Sequence, residues 1–205
     1  MSIVFYNHIA VSGARADVLQ FRRDARRGLP PSLQEELDLS TIDLSFERLF
    51  RLHPQLRYSR RRIPCDEYHY VARSGPPARW HEGSQVLYTL EVKNTQIHEI
   101  LLPLSRCYRD VCFVNSELCI DDGSIMSVFT RRGRQSKWDL PQARIDAHWK
   151  AAARQHGVRK MDDAYDNDDI RSDAESAMLS EALQQWDDRV RRVLRRARPA
   201  GSVSK

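Results

Sequence analysis

Apolar and polar residues alternate along five stretches of the chain, which is the pattern of β-strands with two different faces. The predicted strands cover residues 2–12, 67–73, 86–93, 111–119 and 124–131. In the first strand Phe5 and Ile9 share one face with Asn7, so we expect the Asn7 amide to point inward and to bond a neighbouring loop. Asp122 and Gly123 lie between the last two strands and predict a tight hairpin turn.

Five other stretches place apolar residues three or four positions apart, which predicts amphipathic helices. They cover residues 15–27, 46–52, 96–108, 142–156 and a long last helix that ends before Pro199. Pro103 lies inside the third helix, which we expect it to kink or shorten. Ser172 and Glu175 have the spacing of a capping box, which favours the start of the last helix there. The acidic residues 162–173 just before it are interpreted as a solvated linker or as a segment that pairs with a basic surface in trans.

The last predicted helix carries an apolar seam with heptad-like spacing. Its members are Leu179, Leu183, Trp186, Val190, Val193 and Ala197. The first five are our predicted partner-binding residues, for self-association or for another protein. The alternative is packing within the chain, on the sheet or on the helix over 142–156. The arginines between Arg189 and Arg198 have a simple explanation, because basic residues in the last turn suit the helix macrodipole.

The order of the elements predicts the fold class. It is strand-helix-strand followed by strand-helix-strand-strand, which is the order of a split βαβ unit. We therefore predict an α+β fold of the ferredoxin-like type with an extra edge strand over residues 1–140. Residues 141–205 are expected to form a helical extension that contains the acidic linker and the basic amphipathic helix.

A short pattern near the start of the chain resembles a known family. The pattern consists of Asn7, Ile9, Val11, Gly13 and Phe21. It is similar to the opening of the YubB/Api92-like ferredoxin-like proteins, which are encoded largely on plasmids and phages. Phe5 and Tyr6 stand where that family typically has Trp and Cys, whereas the unit from Val86 to Arg131 resembles its later part. The resemblance covers residues 1–135 and implies a ferredoxin-like fold and an accessory role on mobile elements, without catalytic residues.

Composition excludes several common classes of protein. The chain has 205 residues and a mass of 23.9 kDa, which suits about one domain. It contains no Gly-x-Gly pair, P-loop, His-Glu-x-x-His or Gly-x-Ser-x-Gly motif, so the commonest nucleotide, zinc-protease and hydrolase sites are absent. Residues 1–14 are uncharged but lack a basic leader and are too short to span a bilayer, so we expect a cytoplasmic protein without a membrane anchor. Cys107, Cys112 and Cys119 are expected to be small buried hydrophobes.

The basic residues suggest a second function. The net charge is +5, and 28 of the 33 basic residues are arginines, whose planar forks suit phosphate and carboxylate groups. Two runs flank predicted strands, and they consist of Arg60, Arg61, Arg62, Arg131, Arg132 and Arg134. Aromatic residues lie between or near them, at Tyr58, Tyr68, Tyr70 and Trp80. Together they could form a sheet face that stacks bases and binds phosphates, and the alternative is a pair of solvated loops.

Histidines carry a third hypothesis, a small nuclease-like enzyme. His69 and His81 are the candidate catalytic residues, because imidazole exchanges protons near neutral pH. Cys65 adds a possible zinc ligand, but its spacing from the histidines is not diagnostic, so we predict no metal and no cofactor. The leading prediction is a non-enzymatic accessory protein that binds a macromolecular partner, protein first, through its helical extension or its sheet face. Nucleic-acid binding is the alternative.

Overall fold

The structure, a computed structural model, describes residues 3–25, 44–56, 73–74, 78–80, 83–93 and 96–197. Helices and one antiparallel sheet make up this part of the chain, so the predicted α+β class is confirmed. The strands are β1 (Val4–Gly13), β2 (Arg73–Ser74), β3 (Ala78–Trp80), β4 (Gly83–Lys93), β5 (Val111–Cys119), β6 (Ile125–Arg131) and β7 (Arg134–Asp139). The helices are α1 (Arg15–Ala25), α2 (Phe46–Leu52), α3 (Ile97–Cys107), α4 (Gln142–Gln155), α5 (Met161–Tyr165), α6 (Asp168–Gln184) and α7 (Asp187–Ala197).

The sheet is arranged around β1. Its order is β2, β4, β1, β5, β6 and β7, and β3 also pairs with β4. Each paired strand runs antiparallel to its neighbour, so β4 and β5 run in the same direction on either side of β1. Helix α3 connects these two strands and therefore crosses over the central strand.

Helices α1, α2 and α3 cover one face of the sheet. Their apolar residues form one core with the inward residues of β1, β4 and β5. Phe21 of α1 is almost completely buried there. Its ring makes T-shaped contacts with the rings of Tyr108 and Phe113, at centroid distances of 5.1 and 5.3 Å. Phe21 thus joins α1 to the sheet through Phe113 and to the C-cap of α3 through Tyr108.

Helices α4 to α7 lie on the opposite face. Helix α6 contacts β1, β5 and β6, and α4 and α5 pack against α6. One apolar cluster joins Leu118 and Ile125 of the sheet to α4, α5 and α6. A second cluster joins Val114 and Phe129 to α7. The sheet therefore lies between two helical layers.

The last helices differ from the prediction at their start. Helix α6 begins at Asp168, and its N-cap is Asn167, whose side-chain oxygen accepts from the backbone N–H groups of Asp169 and Ile170 at 3.0 and 3.2 Å. Ser172 and Glu175 lie inside α6, so the predicted capping box at these residues is wrong. An asparagine cap gives a helix start without the Ser-x-x-Glu spacing.

The acidic stretch and the long helix also differ from the prediction. Residues 162–173 form most of α5 and the first turns of α6 instead of a linker, and aspartates in a first turn favour a helix through its dipole. The predicted single helix is interrupted between Gln184 and Asp187, where α6 ends and α7 begins.

Several local predictions are confirmed. Strand 111–119 and helix 46–52 have the predicted bounds, and Gly123 adopts a positive φ of 68° in the turn between β5 and β6. Pro103 lies inside α3, which continues to Cys107, so the helix does not end at the proline. Asn7 is fully buried, but its partner is Asn115 of the neighbouring strand rather than a loop, so that part of the prediction is wrong. Of the predicted strand 67–73, only Arg73 lies within the described residues.

Candidate nucleic-acid interface

A groove of about 820 Å³ lies between the β6–β7 turn and helix α7. It is lined by Phe129, Arg131, Arg132, Arg134, Arg189, Arg192, Val193 and Arg196. Six of these eight residues are arginines, and none is acidic. Two segments that lie far apart in sequence thus present one basic surface.

The β6–β7 turn positions one half of the groove. Arg131 and Arg134 pair across the strands, and only Arg132 and Gly133 lie between them. The φ angles of Arg132 and Gly133 are 50° and 72°, and positive φ values at both central residues are typical of a type I′ turn. The backbone N–H of Gly133 donates to Ser105 Oγ of α3 at 2.8 Å. This short turn, tied to α3, holds three arginines at one end of the sheet.

Helix α7 positions the other half. Val190 and Leu194 are buried against the sheet. Residues three, four or seven positions apart share a helix face, so Arg189, Arg192 and Arg196 lie side by side along the groove. The two buried aliphatic residues therefore fix which arginines of α7 face the turn.

Arg189 is the most constrained arginine of the groove. Its guanidinium carbon lies 4.3 Å from the centre of the Phe129 ring and 5.5 Å from the Trp186 ring, in cation–π geometry. Its Nη1 donates to Ser136 Oγ at 2.7 Å. Trp186 is itself held, because its indole N–H donates to Ser127 Oγ at 2.9 Å. The orientation of this guanidinium is thus set by two rings and one hydrogen bond.

The other groove arginines have few acidic partners. Among the described residues, Arg132 is the one groove arginine in an ion pair, with its Nη2 3.0 Å from Asp110 Oδ1, and both side chains are more than half exposed. Arg192 donates from Nε to the backbone oxygen of Asp188 at 3.3 Å. The Nε of Arg131 is buried and has no hydrogen-bond partner within the described part of the chain. The groove therefore keeps most of its positive charge.

A cysteine lies in the apolar cluster beneath the groove. Cys112 is fully buried and belongs to the same cluster as Phe129 and Val190. Burial raises the pKa of the Cys112 thiol to about 11, and the nearby Arg131 and Arg189 offset this only in part. The sulfur is therefore a neutral thiol at physiological pH and not a ready nucleophile.

The structure brings together part of each predicted site. Arg131, Arg132 and Arg134 all line the groove, whereas Arg60, Arg61, Arg62, His69 and His81 lie outside the described residues. Of the predicted partner-binding residues, Leu179 is buried against α4 and α5, and Val190 is buried on the sheet. Leu183, Trp186 and Val193 are partly buried against the same sheet cluster as Val190.

Arg189, Arg192 and Arg196 were not among the predicted site residues, although their spacing is visible in the sequence. Their alternation with Val190 and Leu194 already marks one basic and one apolar helix face. The alternation of residues could not show that the basic face of this helix lies against the β6–β7 turn. Phe129 was predicted only as a strand residue.

A smaller cavity of about 470 Å³ lies near the start of α3. Glu117, Asp122 and Asp139 are among its lining residues. Glu117 is almost completely buried, but its Oε2 accepts from the Ile97 backbone N–H at 3.2 Å and so serves the start of the helix. The described residues contain no group of three or more His, Cys, Asp or Glu side chains that could hold a metal ion. Glu117 therefore has a structural role at the start of α3.

None of the helices within the described ranges is long and apolar enough to cross a membrane. Comparison with protein-family models, with curated proteins and with solved structures found no match to this chain.

Proposed function

We propose that this protein binds nucleic acid through the groove between the β6–β7 turn and α7. The observation that carries the proposal is the convergence of six arginines on one groove that has no acidic lining residue. A ligand that suits it is a chain of phosphates, because each guanidinium can bind phosphate oxygens with two parallel hydrogen bonds.

The apolar seam supports a protein-docking role less well. Leu179 and Val190 have exposed fractions of 3% and 2%, because both pack on the protein's own sheet or helices. The intramolecular alternative therefore accounts for the heptad-like spacing. A nuclease-like activity rests on His69 and His81, which are outside the described residues. The protein-partner and enzyme hypotheses both remain predictions.

We further propose that the sheet and its first helical layer form a ferredoxin-like unit. Support comes from the order β2, β4, β1, β5, with α3 connecting two strands that flank β1. In this proposal β6 and β7 extend the sheet, and α4 to α7, between Gln142 and Ala197, belong to the helical extension predicted for residues 141–205. Membership in the YubB/Api92-like family and a cytoplasmic location stay predictions of the sequence.

The proposed function is tested by measuring affinity against salt concentration. Fluorescence anisotropy of labelled oligonucleotides would be recorded with the full chain between about 50 and 200 mM salt. If all six arginines contact phosphates, the slope of log affinity against log salt is expected to be about −4 for a single strand or about −5 for a duplex. A slope near zero, or no binding at the lowest salt concentration, would contradict the proposal.

A pair of charge-reversal variants locates the site. Arg192→Glu with Arg196→Glu changes two exposed groove arginines, while Arg154→Glu with Arg159→Glu changes two exposed arginines that do not line it. Both pairs lower the net charge by the same amount. We expect the groove pair to weaken binding by about tenfold or more, because two phosphate contacts become repulsive, and the control pair to have a small effect. Equal losses would place the interface elsewhere.

A further inference from the structure

From the fixed position of Arg189 we infer that the groove takes single-stranded nucleic acid and stacks one of its bases on the Arg189 guanidinium. The inference rests on the proposed function and names its substrate class. The chemistry it requires is a phosphate chain with an unpaired base, which single-stranded RNA and single-stranded DNA both supply.

The Arg189 guanidinium contacts two aromatic rings and also lines the groove. Its central carbon lies over the Phe129 ring at 4.3 Å from the ring centre and over the Trp186 ring at 5.5 Å. Because Arg189 lines the groove, a base of a strand bound there can reach the guanidinium. A planar guanidinium backed by an aromatic ring is a surface on which nucleic-acid bases stack.

Hydrogen bonds within the protein hold the Arg189 and Trp186 side chains in place without a ligand. Ser136 fixes the guanidinium by accepting from its Nη1, and Ser127 fixes the Trp186 ring by accepting from its indole N–H. Both serines belong to the paired strands β6 and β7. A side chain held in this way loses little conformational freedom on binding. Arg189 therefore offers a base a fixed surface, which a freely moving arginine would not.

The surrounding groove favours a single strand over a duplex. Sequence-reading proteins insert a protruding helix or ribbon into the major groove of a duplex. Here α7 lies against the sheet through Val190 and Leu194, and its arginines face a concavity. The bases of a duplex are stacked on one another and cannot reach a surface at the side of such a concavity without leaving the helix. An extended strand can place its phosphates on the outer arginines and one base on Arg189.

The test compares four ligands of equal length with the full wild-type chain. They are oligothymidylate and oligouridylate of about twelve nucleotides, an abasic strand with the same number of phosphates, and a duplex of that length. We expect both single strands to bind about tenfold more tightly than the abasic strand, which is the effect of one stacked base. The duplex is expected to bind no more tightly than the abasic strand.

A charge-conserving variant assigns the preference to one residue. Arg189→Lys keeps the positive charge but removes the plane, and Arg192→Lys is the matched control at an exposed groove position. We expect Arg189→Lys to bring the affinity for oligothymidylate down to that for the abasic strand, and Arg192→Lys to keep the tenfold difference. Equal loss on both ligands would make Arg189 a phosphate ligand and overturn the inference.

The two proposals fail in different ways. If none of the four ligands binds, the proposed function itself fails. If the single strands, the abasic strand and the duplex bind equally well, nucleic-acid binding stands and base stacking is overturned. These comparisons use the wild-type chain, so they can overturn base stacking even if Arg189→Lys does not fold.

Discussion

Arg144 of α4 and Glu181 of α6 meet edge to edge, with Nε 2.9 Å from Oε1 and Nη2 2.8 Å from Oε2. This bidentate geometry is the strongest form of an arginine–carboxylate contact. His148 adds a third bond, with its Nε2 2.6 Å from the same Oε2. One carboxylate therefore joins α6 to two residues of α4.

This junction predicts a pH-dependent contribution to stability. The hydrogen bond from Arg144 lowers the pKa of Glu181 below its ordinary value of 4.5. A carboxylate with a lowered pKa in the folded state stabilises the fold above its unfolded pKa, and the stabilisation is lost as the pH falls through the folded value. Glu181→Gln should therefore lower the Tm at pH 7, with a difference that shrinks as the pH falls below 4.5 and through the lowered pKa of Glu181. Calorimetry over this range would show it, and a difference independent of pH would refute the assignment.

The buried amide pair on β1 and β5 predicts an asymmetry between two substitutions. Asn115 Nδ2 donates to Asn7 Oδ1 at 3.1 Å, and Asn7 Nδ2 donates to the Phe5 backbone oxygen at 3.2 Å. Asn115 Oδ1 has no partner within the described part of the chain. Asn7→Leu leaves the Asn115 amide wholly unpaired, whereas Asn115→Leu leaves only the Asn7 oxygen unpaired. We expect Asn7→Leu to cost about 1–3 kcal/mol and Asn115→Leu to cost less.

Urea unfolding of both single variants and of the double variant would measure these costs. The double variant removes both polar side chains, so its cost should be smaller than the sum of the single costs. Additive costs would mean that the two amides do not depend on each other.

Two glycines at positive φ form a matched pair for testing the β6–β7 turn. A Cβ at Gly133 would lie 2.8 Å from Nε and 2.9 Å from Cγ of Arg106, while a Cβ at Gly123 would meet nothing within 4 Å. Alanine at either site should cost about 1–2 kcal/mol for the left-handed backbone. Gly133→Ala should cost more, because Arg106 must also move.

Only one of these variants should affect binding, because only Gly133 lies in the turn that carries the groove arginines. Anisotropy with the two alanine variants would then show weaker binding for Gly133→Ala and unchanged binding for Gly123→Ala. If both retain full affinity, the turn does not position the arginines that bind the ligand.

The substitution Arg132→Asn is expected to weaken binding without lowering stability. It occupies a left-handed position, with φ of 50°, at which asparagine followed by glycine is the preferred pair of a type I′ turn. Arg132→Asn should therefore keep or raise the free energy of unfolding, by up to about 1 kcal/mol, since the exposed ion pair with Asp110 contributes little. The salt dependence of single-strand affinity should become less steep by about 0.7, the share of one phosphate contact. A variant that is less stable but binds normally would contradict both expectations.

Much of the fold could be predicted because local patterns determine it. Strand 111–119 is a run of apolar and β-forming residues that ends before the Asp122–Gly123 turn, and helix 46–52 carries Phe46, Leu49 and Phe50 on one side. Strand β7 has Trp138 as its one large apolar residue, so the alternation of apolar and polar residues could not predict this strand. It is formed by pairing with β6 through the Arg132–Gly133 turn.

The groove could be predicted only in part because its halves meet through tertiary packing. The spacing of the seam continues across the interruption between α6 and α7, so it could not show that Leu179 and Val190 belong to different clusters. Nor could it show that Trp186 would turn toward Ser127 and support Arg189. The arginine run at residues 131–134 was visible, but its partner on α7 depends on how that helix docks.

The groove that suits a phosphate chain is also a place of internal repulsion when it is empty. Six arginines line a groove of about 820 Å³, and the described part of the chain pairs only Arg132 of these with a carboxylate. Neutral salt screens such like charges over about 10 Å at 0.1 M, so added salt should make the unbound fold more stable, the reverse of its effect on surface ion pairs. If the proposed ligand binds there, occupation of the groove acts on folding as well as on recognition, because a ligand that binds only the folded chain favours that state. A bound polyanion would then hold the β6–β7 turn and α7 together more firmly than the empty groove does.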